Sequence, residues 1–356
     1  MTASHEILKK HVLLISPLTF SYHESICAAL RELGHDVTWW DERASSKPFY
    51  KLALRAFPRL TKRWSEAHFS ARLAELSGTP ISDVLVIKGE GLSAVMTRRL
   101  RADLRPHSMR LYLWDGVENA GGVSDIADAF DSVATFDPKD ANERHWLYRP
   151  LFARNIADQD ASVTTPTYDW CFIGTLHSDR HRVIHRLRRT GRSRGDRSFV
   201  FGYLHSPMVK AMRMLIDWTL WLAPAGSLST RSMPHSEVLK VVRSSRSVLD
   251  VEHPRQRGLT MRTIETLLAG KKLVTTNRHI AHSDLYHPSR VSVISREQPE
   301  ILPEFLDTPF LPVPAHLREK YSVKGWVTEL LDGQSRLQMK AGCDDGRTQP
   351  HVAPPA

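Results

Sequence analysis

The stretch SVLDVEHPRQRGLTMRTIETLLAGKKLVTT, residues 247–276, decides the fold of the region around it. An apolar run leads into a polar loop, then into a helix-forming stretch that ends at Gly270, and then into a second apolar run. Short apolar runs that alternate with helices are typical of parallel βαβ units, whose strands are buried on both faces. We therefore predict strands at 247–252 and 272–276, with a helix between them.

The same alternation runs along the chain and predicts an α/β protein. A polar stretch at 151–167 interrupts it and predicts a linker between an N-terminal domain (1–150) and a C-terminal domain (168–332). The tail at 333–356 is polar, ends in prolines and is predicted to be disordered. We expect two α/β domains in tandem with a cleft between them. The other predicted strands are HVLLIS (11–16), DVTWWD (36–41), DVLVIKG (83–89), RLYLWD (110–115), SVATFD (132–137), YDWCFIGT (168–175), FVFGYL (199–204) and VSVIS (291–295).

Composition narrows the class of partner. Lys and Arg exceed Asp and Glu by 49 to 39, a net charge of +10, which predicts an anionic partner such as a nucleic acid, a membrane surface or a phosphorylated substrate. The 3 cysteines and 18 histidines lack the spacing of metal ligands, so we expect no metal site. The cysteines are odd in number and far apart, which indicates a reducing compartment, so we expect a cytoplasmic protein. No stretch approaches the roughly 20 apolar residues of a membrane span.

Three common site motifs are missing from the positions where they would act. The turn after the first predicted strand, SPLTFSYHES (16–25), has no glycine, which argues against a nicotinamide dehydrogenase with a G-x-G-x-x-G loop. G-x-x-x-x-G-K-[ST] does not occur, and the G-x-S-x-G match at 191–195, GRSRG, precedes a predicted strand instead of forming a strand-to-helix turn. P-loop kinases and ATPases and α/β-hydrolases are therefore disfavoured.

The loop before the helix of 247–276 is the strongest candidate site. Ligands of such sheets bind beyond the carboxyl ends of the strands, and a helix N-terminus offers N–H groups that suit a phosphate. Gly258 would let the backbone approach closely, while Arg255, Arg257 and Arg262 can donate charge-assisted hydrogen bonds. Glu265 lies at the border of the apolar stripe, where it either binds sugar hydroxyls or pairs with Arg262 or Lys272. The local pattern leaves both alternatives open.

Four segments resemble bacterial lipopolysaccharide and capsule glycosyltransferases of the GT-B fold, which implies two Rossmann-like domains with a cleft between them. The C-terminal unit also resembles spore-maturation-type glycosyltransferases. In the wider superfamily two glutamates flank the turn into this helix, and the later one holds the ribose of the sugar nucleotide. Glu265 matches the later glutamate, whereas Arg257 stands where the earlier one is expected. The matching segments are 111–119, 130–141, 168–180 and 248–277.

The resemblance implies a glycosyltransferase that moves a sugar from a nucleotide-diphosphate donor to a lipopolysaccharide or capsule acceptor, with no cofactor and no metal. Arg257 and Arg262, with N–H groups of the following turn, would neutralise the leaving diphosphate. The end of the strand at 168–175 would form a second backbone surface facing the cleft. The implied nucleotide-sugar-binding residues are Gly174, Thr175, Arg257, Gly258, Leu259, Thr260, Arg262 and Glu265.

Asp115 and Glu118 are the candidate catalytic residues. They follow a predicted strand of the first domain, where an acceptor and a general base belong. Asp115 could instead merely cap the next turn. Asp137 precedes Pro138 and is predicted to be a helix N-cap rather than a catalytic group.

Three segments allow more than one interpretation. The run 177–197 holds eight arginines and is either a solvated basic helix or a surface for nucleic acid or anionic lipid. The amphipathic stretch 52–76 and the apolar stretch 208–224 are either core helices or peripheral contacts with the inner face of a membrane, which would carry a lipid-linked acceptor. The alternatives to glycosyl transfer are a sugar-nucleotide epimerase and a non-catalytic scaffold that binds anions or nucleic acid.

Overall fold

Two parallel sheets of six strands each dominate the computed structural model, which describes residues 9–18, 21–43, 58–119, 122–154, 166–224 and 226–332. The tail at 333–356 and most of the predicted linker, 155–165, lie outside the described residues. The described strands are β1 (His11–Ser16), β2 (Asp36–Asp41), β3 (Asp83–Ile87), β4 (Ser108–Leu113), β5 (Ser132–Thr135), β6 (Leu147–Tyr148), β7 (Tyr168–Thr175), β8 (Ser198–Tyr203), β9 (Leu228–Ser229), β10 (Ser245–Asp250), β11 (Lys272–Thr275) and β12 (Val291–Val293).

Helices connect consecutive strands, as parallel pairing requires. The described α-helices are α1 (Tyr22–Glu32), α2 (Pro58–Glu75), α3 (Ala94–Leu104), α4 (Val123–Ile126), α5 (Pro138–Arg144), α6 (Arg180–Arg192), α7 (Pro207–Ile216), α8 (His235–Arg243), α9 (Met261–Leu268), α10 (Pro303–Asp307), α11 (Ala315–Lys320) and α12 (Val323–Asp332). Short 3-10 helices cover Val117–Asn119, Ala127–Ala129, Trp218–Leu222 and Arg278–His282.

The strand orders locate the crevices at which such sheets bind ligands. The first sheet has the order β2-β1-β3-β4-β5-β6 and the second has the order β12-β11-β10-β7-β8-β9. Counted from β7, the second order is that of the doubly wound dinucleotide-binding fold, whose order reverses between β7 and β10. The predicted α/β class with two Rossmann-like domains is confirmed. Ligands are expected outside the carboxyl ends of these strands.

Local sequence signals explain where the helices begin. Asp137 is the N-cap of α5, since its carboxylate accepts hydrogen bonds from the N–H groups of Lys139 at 2.9 Å and Asp140 at 3.5 Å. Pro138 fills the first helical position, where the missing N–H costs nothing. The predicted cap is therefore confirmed. Thr260 caps α9 in the same way, through the N–H of Thr263 at 3.0 Å.

One apolar core joins the two sheets. It contains β1 residues such as Leu14, α9 residues such as Ile264, and Trp326 of α12. The helix α12 follows the second sheet in sequence but packs against α1 of the first. The Trp326 ring lies 4.8 Å from that of Tyr112 and 4.6 Å from that of Phe152, measured between ring centroids. The contacts of α12 therefore help to hold the two sheets together.

Candidate active site between the two sheets

A polar cavity of about 460 Å³ opens between the domains at the carboxyl ends of β10, β11 and β12. Its volume is within the range of small-molecule sites, roughly 300–1,000 Å³. The N-terminal domain contributes the residues that follow β4 and β5. The cavity is lined by Glu118, Lys139, Glu252, Pro254, Arg255, Gln256, Arg257, Thr276, Asn277, Arg278, His279, Ile294, Arg296 and Glu297.

Three arginines give this cavity an excess of positive charge. Within the described part of the chain, no carboxylate oxygen lies within 4.0 Å of the guanidinium of Arg255, Arg257 or Arg278. The pKa of His279 is lowered by burial and then by the charge of Arg257, so its imidazole is neutral at pH 7. Cations without a bound carboxylate, converging on a concave surface, favour an anionic ligand.

A partly buried ion-pair network borders the cavity. Arg296 donates hydrogen bonds to both carboxylate oxygens of Asp179, at 2.8 and 3.0 Å, and to the Glu252 carboxylate at 2.5 Å. The other oxygen of Glu252 accepts the hydroxyl hydrogen bond of Thr276 at 2.5 Å. These contacts connect the loops after β7, β10, β11 and β12. Arg296 is thus neutralised by protein carboxylates and fixes the geometry of the loops around it.

Asp137 joins the two domains at the edge of the cavity. While one of its oxygens caps α5, the other accepts hydrogen bonds from the N–H groups of Arg257 at 3.2 Å and Gly258 at 3.4 Å. A Cβ atom on Gly258 would lie 2.5 Å from the carbonyl oxygen of Phe136. Gly258 therefore permits close approach of the other domain. The Asp137 carboxylate accepts hydrogen bonds from the N–H groups of Arg257 and Gly258, which lie beside the predicted phosphate position.

Polar groups at the N-terminus of α9 also form hydrogen bonds within the protein. The hydroxyls of Thr260 and Thr263 both donate to one oxygen of Asp250, at 2.7 Å for Thr263. Asp250 ends β10 and is 5% exposed, so this contact ties the strand to the helix that follows it. Leu259 is 3% exposed and belongs to the core between the sheets. Among the predicted binding residues of this turn, Arg257 is the one that lines the cavity.

Glu265 and Arg262 form a second group on the other side of α9. The Glu265 carboxylate lies 3.7 Å from the guanidinium of Arg262 and 3.8 Å from that of Arg154. Arg154 also lies over the ring of Tyr22, 4.6 Å from its centroid. Burial, followed by the negative charge of Glu265, raises the pKa of Tyr22 to about 12. The half-buried Glu265 thus faces α1 of the first domain and the start of the linker, outside the cavity lining.

Gly174 and Thr175 end β7, next to the point where the order of the second sheet reverses. The Thr175 carbonyl accepts a hydrogen bond from Arg180 at 2.9 Å, and the same guanidinium donates to the carbonyl of Val251. Beyond Thr175, burial and then the charge of Arg180 lower the pKa of His177 to about 3, which keeps this imidazole neutral. Arg180 therefore fixes the ends of β7 and β10 relative to each other.

The two candidate catalytic carboxylates have different surroundings. Asp115 forms an ion pair with Lys88 at 2.9 Å, and Lys88 also lies 3.2 Å from Glu90. Lys88 has a φ of 75°, an uncommon backbone conformation for a residue with a side chain. Glu118 lines the cavity, and its carboxylate lies 3.4 Å from the Lys139 ammonium. The structure brings Glu118 and Arg257 to the same cavity, whereas Asp115 lies in a separate charged cluster.

Sequence reasoning missed the cavity residues after β11 and β12. Arg278, His279 and Arg296 each follow a predicted strand, and that position was their available signal. No sequence motif distinguishes these three residues from basic residues at the surface. Their convergence depends on the order of strands in the second sheet, which places β11 and β12 beside β10.

The described residues contain no group of three or more His, Cys, Asp or Glu side chains arranged to hold a metal ion. Among the same residues, no helix combines the length and the apolar character needed to cross a bilayer. Metal independence and cytoplasmic location stay predictions.

Comparison with known proteins relates the fold to solved structures. No protein-family model and no curated protein matches the sequence. The structure is similar to that of Anabaena HepE in complex with UDP and glucose, with a TM-score of 0.56, 10% identity, and coverage of 91% of this chain and 99% of that chain. It is also similar to α,α-trehalose 6-phosphate synthase from Burkholderia multivorans, with a TM-score of 0.53, 9% identity, and coverage of 92% and 96%. The chain has the GT-B fold.

Within the GT-B fold the described cavity lies between the two Rossmann-like sheets. HepE was solved with UDP, and with UDP and glucose. At identities of 9–10% these similarities establish the shared fold. The chemistry has to be argued from the residues of the cavity itself.

Proposed function

We propose that the protein is a metal-independent glycosyltransferase that moves a sugar from a nucleotide-diphosphate donor to a lipopolysaccharide or capsule acceptor. The observation that carries the proposal is the convergence of Arg255, Arg257 and Arg278, without paired carboxylates among the described residues, on a cavity between the two sheets. The diphosphate is the part of such a donor that needs this charge. The GT-B fold, shared with a protein solved with UDP and glucose, supports the same donor class.

In the proposed reaction a hydroxyl oxygen of the acceptor forms a bond to the anomeric carbon of the donor sugar. The bond from that carbon to the diphosphate oxygen breaks, and its electron pair leaves with the diphosphate. The hydroxyl proton passes to the carboxylate of Glu118. Arg257 and Arg278 stabilise the negative charge that develops on the leaving group. Glu118 is favoured over Asp115 because Glu118 lines the same cavity and Asp115 is not among the lining residues.

The remaining predicted residues have supporting roles in this proposal. Glu265, with Arg262 3.7 Å away, lies outside the cavity lining, and we propose that it accepts hydrogen bonds from the ribose hydroxyls of a donor that extends beyond the cavity towards α1. Gly174 and Thr175 supply backbone next to the nucleotide. No feature of the described residues favours the epimerase or the non-catalytic alternative over transfer.

The test is a screen of nucleotide sugars against the full chain, read first by thermal stabilisation, since a ligand of the native state raises the melting temperature. Donors that stabilise the protein are then incubated with it, and released nucleoside diphosphate is measured. Stabilisation with release of nucleotide supports transfer. Donor recovered with unchanged mass but altered configuration would instead identify an epimerase. No stabilisation by any nucleoside diphosphate at millimolar concentration would refute donor binding.

A further inference from the structure

A cluster of large apolar side chains lies exposed on one side of the C-terminal domain. The helix α7 and the 3-10 helix Trp218–Leu222 hold half of the 14 large hydrophobic side chains that are strongly exposed in the described part of the chain. We call these seven side chains the apolar ridge. Its members are Met208 (78% exposed), Met212 (53%), Leu215 (85%), Ile216 (73%), Trp218 (68%), Trp221 (67%) and Leu222 (47%).

The ridge belongs to an ordered segment rather than to a frayed end. The helix α7 has a Ser206 N-cap and includes none of the buried residues of the domain. The following turn is anchored from beneath by Leu220, which is 3% exposed, and by the buried carboxylate of Asp217. The Asp217 carboxylate forms an ion pair with Arg182 of α6 at 2.6 Å and lies 2.6 Å from Nε2 of His181 on the same helix. The sequence left the stretch 208–224 open between core and membrane surface. In the structure Leu220 belongs to the core and Val209 and Met214 pack against it, whereas the seven side chains of the ridge are exposed.

The apolar side chains share one face. On α7 they recur at positions 208, 212, 215 and 216, the spacing of one side of a helix. The Trp221 indole N–H donates to the carbonyl of Met214 at 3.0 Å, which holds the 3-10 helix against α7. Soluble monomers rarely expose contiguous apolar surface of this kind without a partner.

The surroundings of the ridge are basic. The segment 207–224 contains a single acid, the buried Asp217, together with Lys210 and Arg213. Arg182 of the neighbouring helix α6 pairs with Asp217 at the base of the ridge, and Arg186, Arg189 and Arg192 are exposed further along the same helix. Burial and then the charges of the neighbouring arginines lower the pKa of His185 on the same helix. Several positive charges therefore lie close together around this surface, and they are complementary to the negative charge of an anionic partner.

We propose that the apolar ridge and the exposed arginines of α6 form a docking surface for an anionic phospholipid bilayer. Tryptophans flanked by aliphatic side chains suit the boundary between headgroups and acyl chains, and neighbouring arginines bind anionic headgroups. Arg213 of α7 donates to the carbonyl of Ser178, in the loop that follows β7, at 3.3 Å. The docking surface thus borders the carboxyl edge of the second sheet, where the cleft opens. An acceptor anchored in the membrane would be close to that cleft.

Vesicle flotation with the full chain tests this surface without any nucleotide, so its result is independent of the proposed transferase activity. The probes are vesicles of phosphatidylcholine alone and of phosphatidylcholine with phosphatidylglycerol. We expect flotation with the anionic vesicles. The double variant L215D/I216D should bind at least ~10-fold more weakly, because two charges replace side chains that enter the bilayer. The matched control V95D/L302D adds the same charges at exposed apolar positions outside the ridge, and it should bind like the wild type.

Charge reversal separates the basic part of the surface from the apolar part. The variant R189E/R192E should weaken binding to anionic vesicles by ~10-fold or more, since each arginine near such a membrane contributes about a factor of five. It should leave the melting temperature unchanged because both side chains are exposed.

Two results would overturn the proposal. One is wild-type protein that fails to float with anionic vesicles, and the other is equal flotation of L215D/I216D. Sedimentation velocity adds a second reading. A concentration-dependent dimer that L215D/I216D abolishes, in protein that does not bind vesicles, would assign the ridge to a second copy of the chain.

Discussion

At the scale of single residues, Arg257 links the predicted site to the observed one. Its position after β10 was predicted from the sequence, and in the structure its side chain lines the cavity while its N–H bonds to Asp137. The N-cap role of Asp137 was predictable because capping depends on neighbours in sequence. Its contact with the other domain was not predictable, because it depends on how the two sheets meet.

Arg257→Ala and Glu265→Ala test the two parts of the proposed donor site. Removing a charge-assisted hydrogen bond costs about 1.5–3 kcal/mol, so each variant should bind the nucleoside diphosphate roughly 10- to 100-fold more weakly by calorimetry. Arg246→Ala is the control, because Arg246 pairs with Asp169 and Asp307 away from the cavity. Unchanged affinity in Glu265→Ala would remove the ribose role from that residue and leave the diphosphate site in place.

Glu42 gives the stability a pH dependence. Its carboxyl is fully buried, and burial raises its pKa from 4.5 to about 8 despite the charges of Lys88 and Arg43. The folded state therefore holds a proton that the unfolded state releases, so stability falls as the pH rises from about 4.5 to 8. Glu42→Gln should match the wild type at pH 5 and be more stable at pH 8, measured by melting temperature. Parallel pH profiles for the two proteins would contradict this expectation.

At the scale of elements, long apolar runs were predictable and short edge strands were not. The predicted bounds of β1, β2 and β7 agree with the structure, because each run is apolar and ends at polar residues. The two-residue strands β6 and β9 were missed. Each lies at the edge of its sheet and pairs with one neighbour, so its position is set by tertiary contact rather than by its own sequence.

The loop before α9 depends on Gly258, and Gly258→Ala should disturb it. The new Cβ would lie 2.5 Å from Phe136, so the loop must move and lose its hydrogen bonds to Asp137. We expect destabilisation of about 1–3 kcal/mol, the usual cost of overpacking, measured by chemical denaturation. In the control Gly116→Ala the nearest side-chain atom is 3.8 Å away, at Asp140. Equal stability of the two variants would show that the close approach is not needed.

At the scale of the whole molecule, the sequence predicted two Rossmann-like domains but not how they are joined. No local pattern in the sequence indicates which sheet α12 covers. The structure places it against α1, with Trp326 in the shared core and Glu329 2.6 Å from the buried Arg149. These are contacts between residues far apart in sequence, and local patterns do not encode them.

Trp326→Ala should destabilise both domains together. Removing a buried tryptophan costs about 3–5 kcal/mol through lost burial and the cavity left behind. Calorimetry should show a lower melting temperature and, as the two sheets uncouple, a broadened or split transition. Trp218→Ala is the control, since this side chain is 68% exposed and its loss should leave the transition unchanged. A small shift in Trp326→Ala would mean that the domains are joined mainly elsewhere.

The return of α12 to the first sheet also means that the peptide link between the domains is not the sole connection. The C-terminal domain carries a helix, α12, whose apolar face packs against the N-terminal domain. Arg149 of the N-terminal domain forms an ion pair with Glu329 of that helix. Two fragments divided between 154 and 166 should therefore recognise each other when they are produced together. The protein is in this sense a pair of complementary pieces, and it offers a natural position for a split reporter.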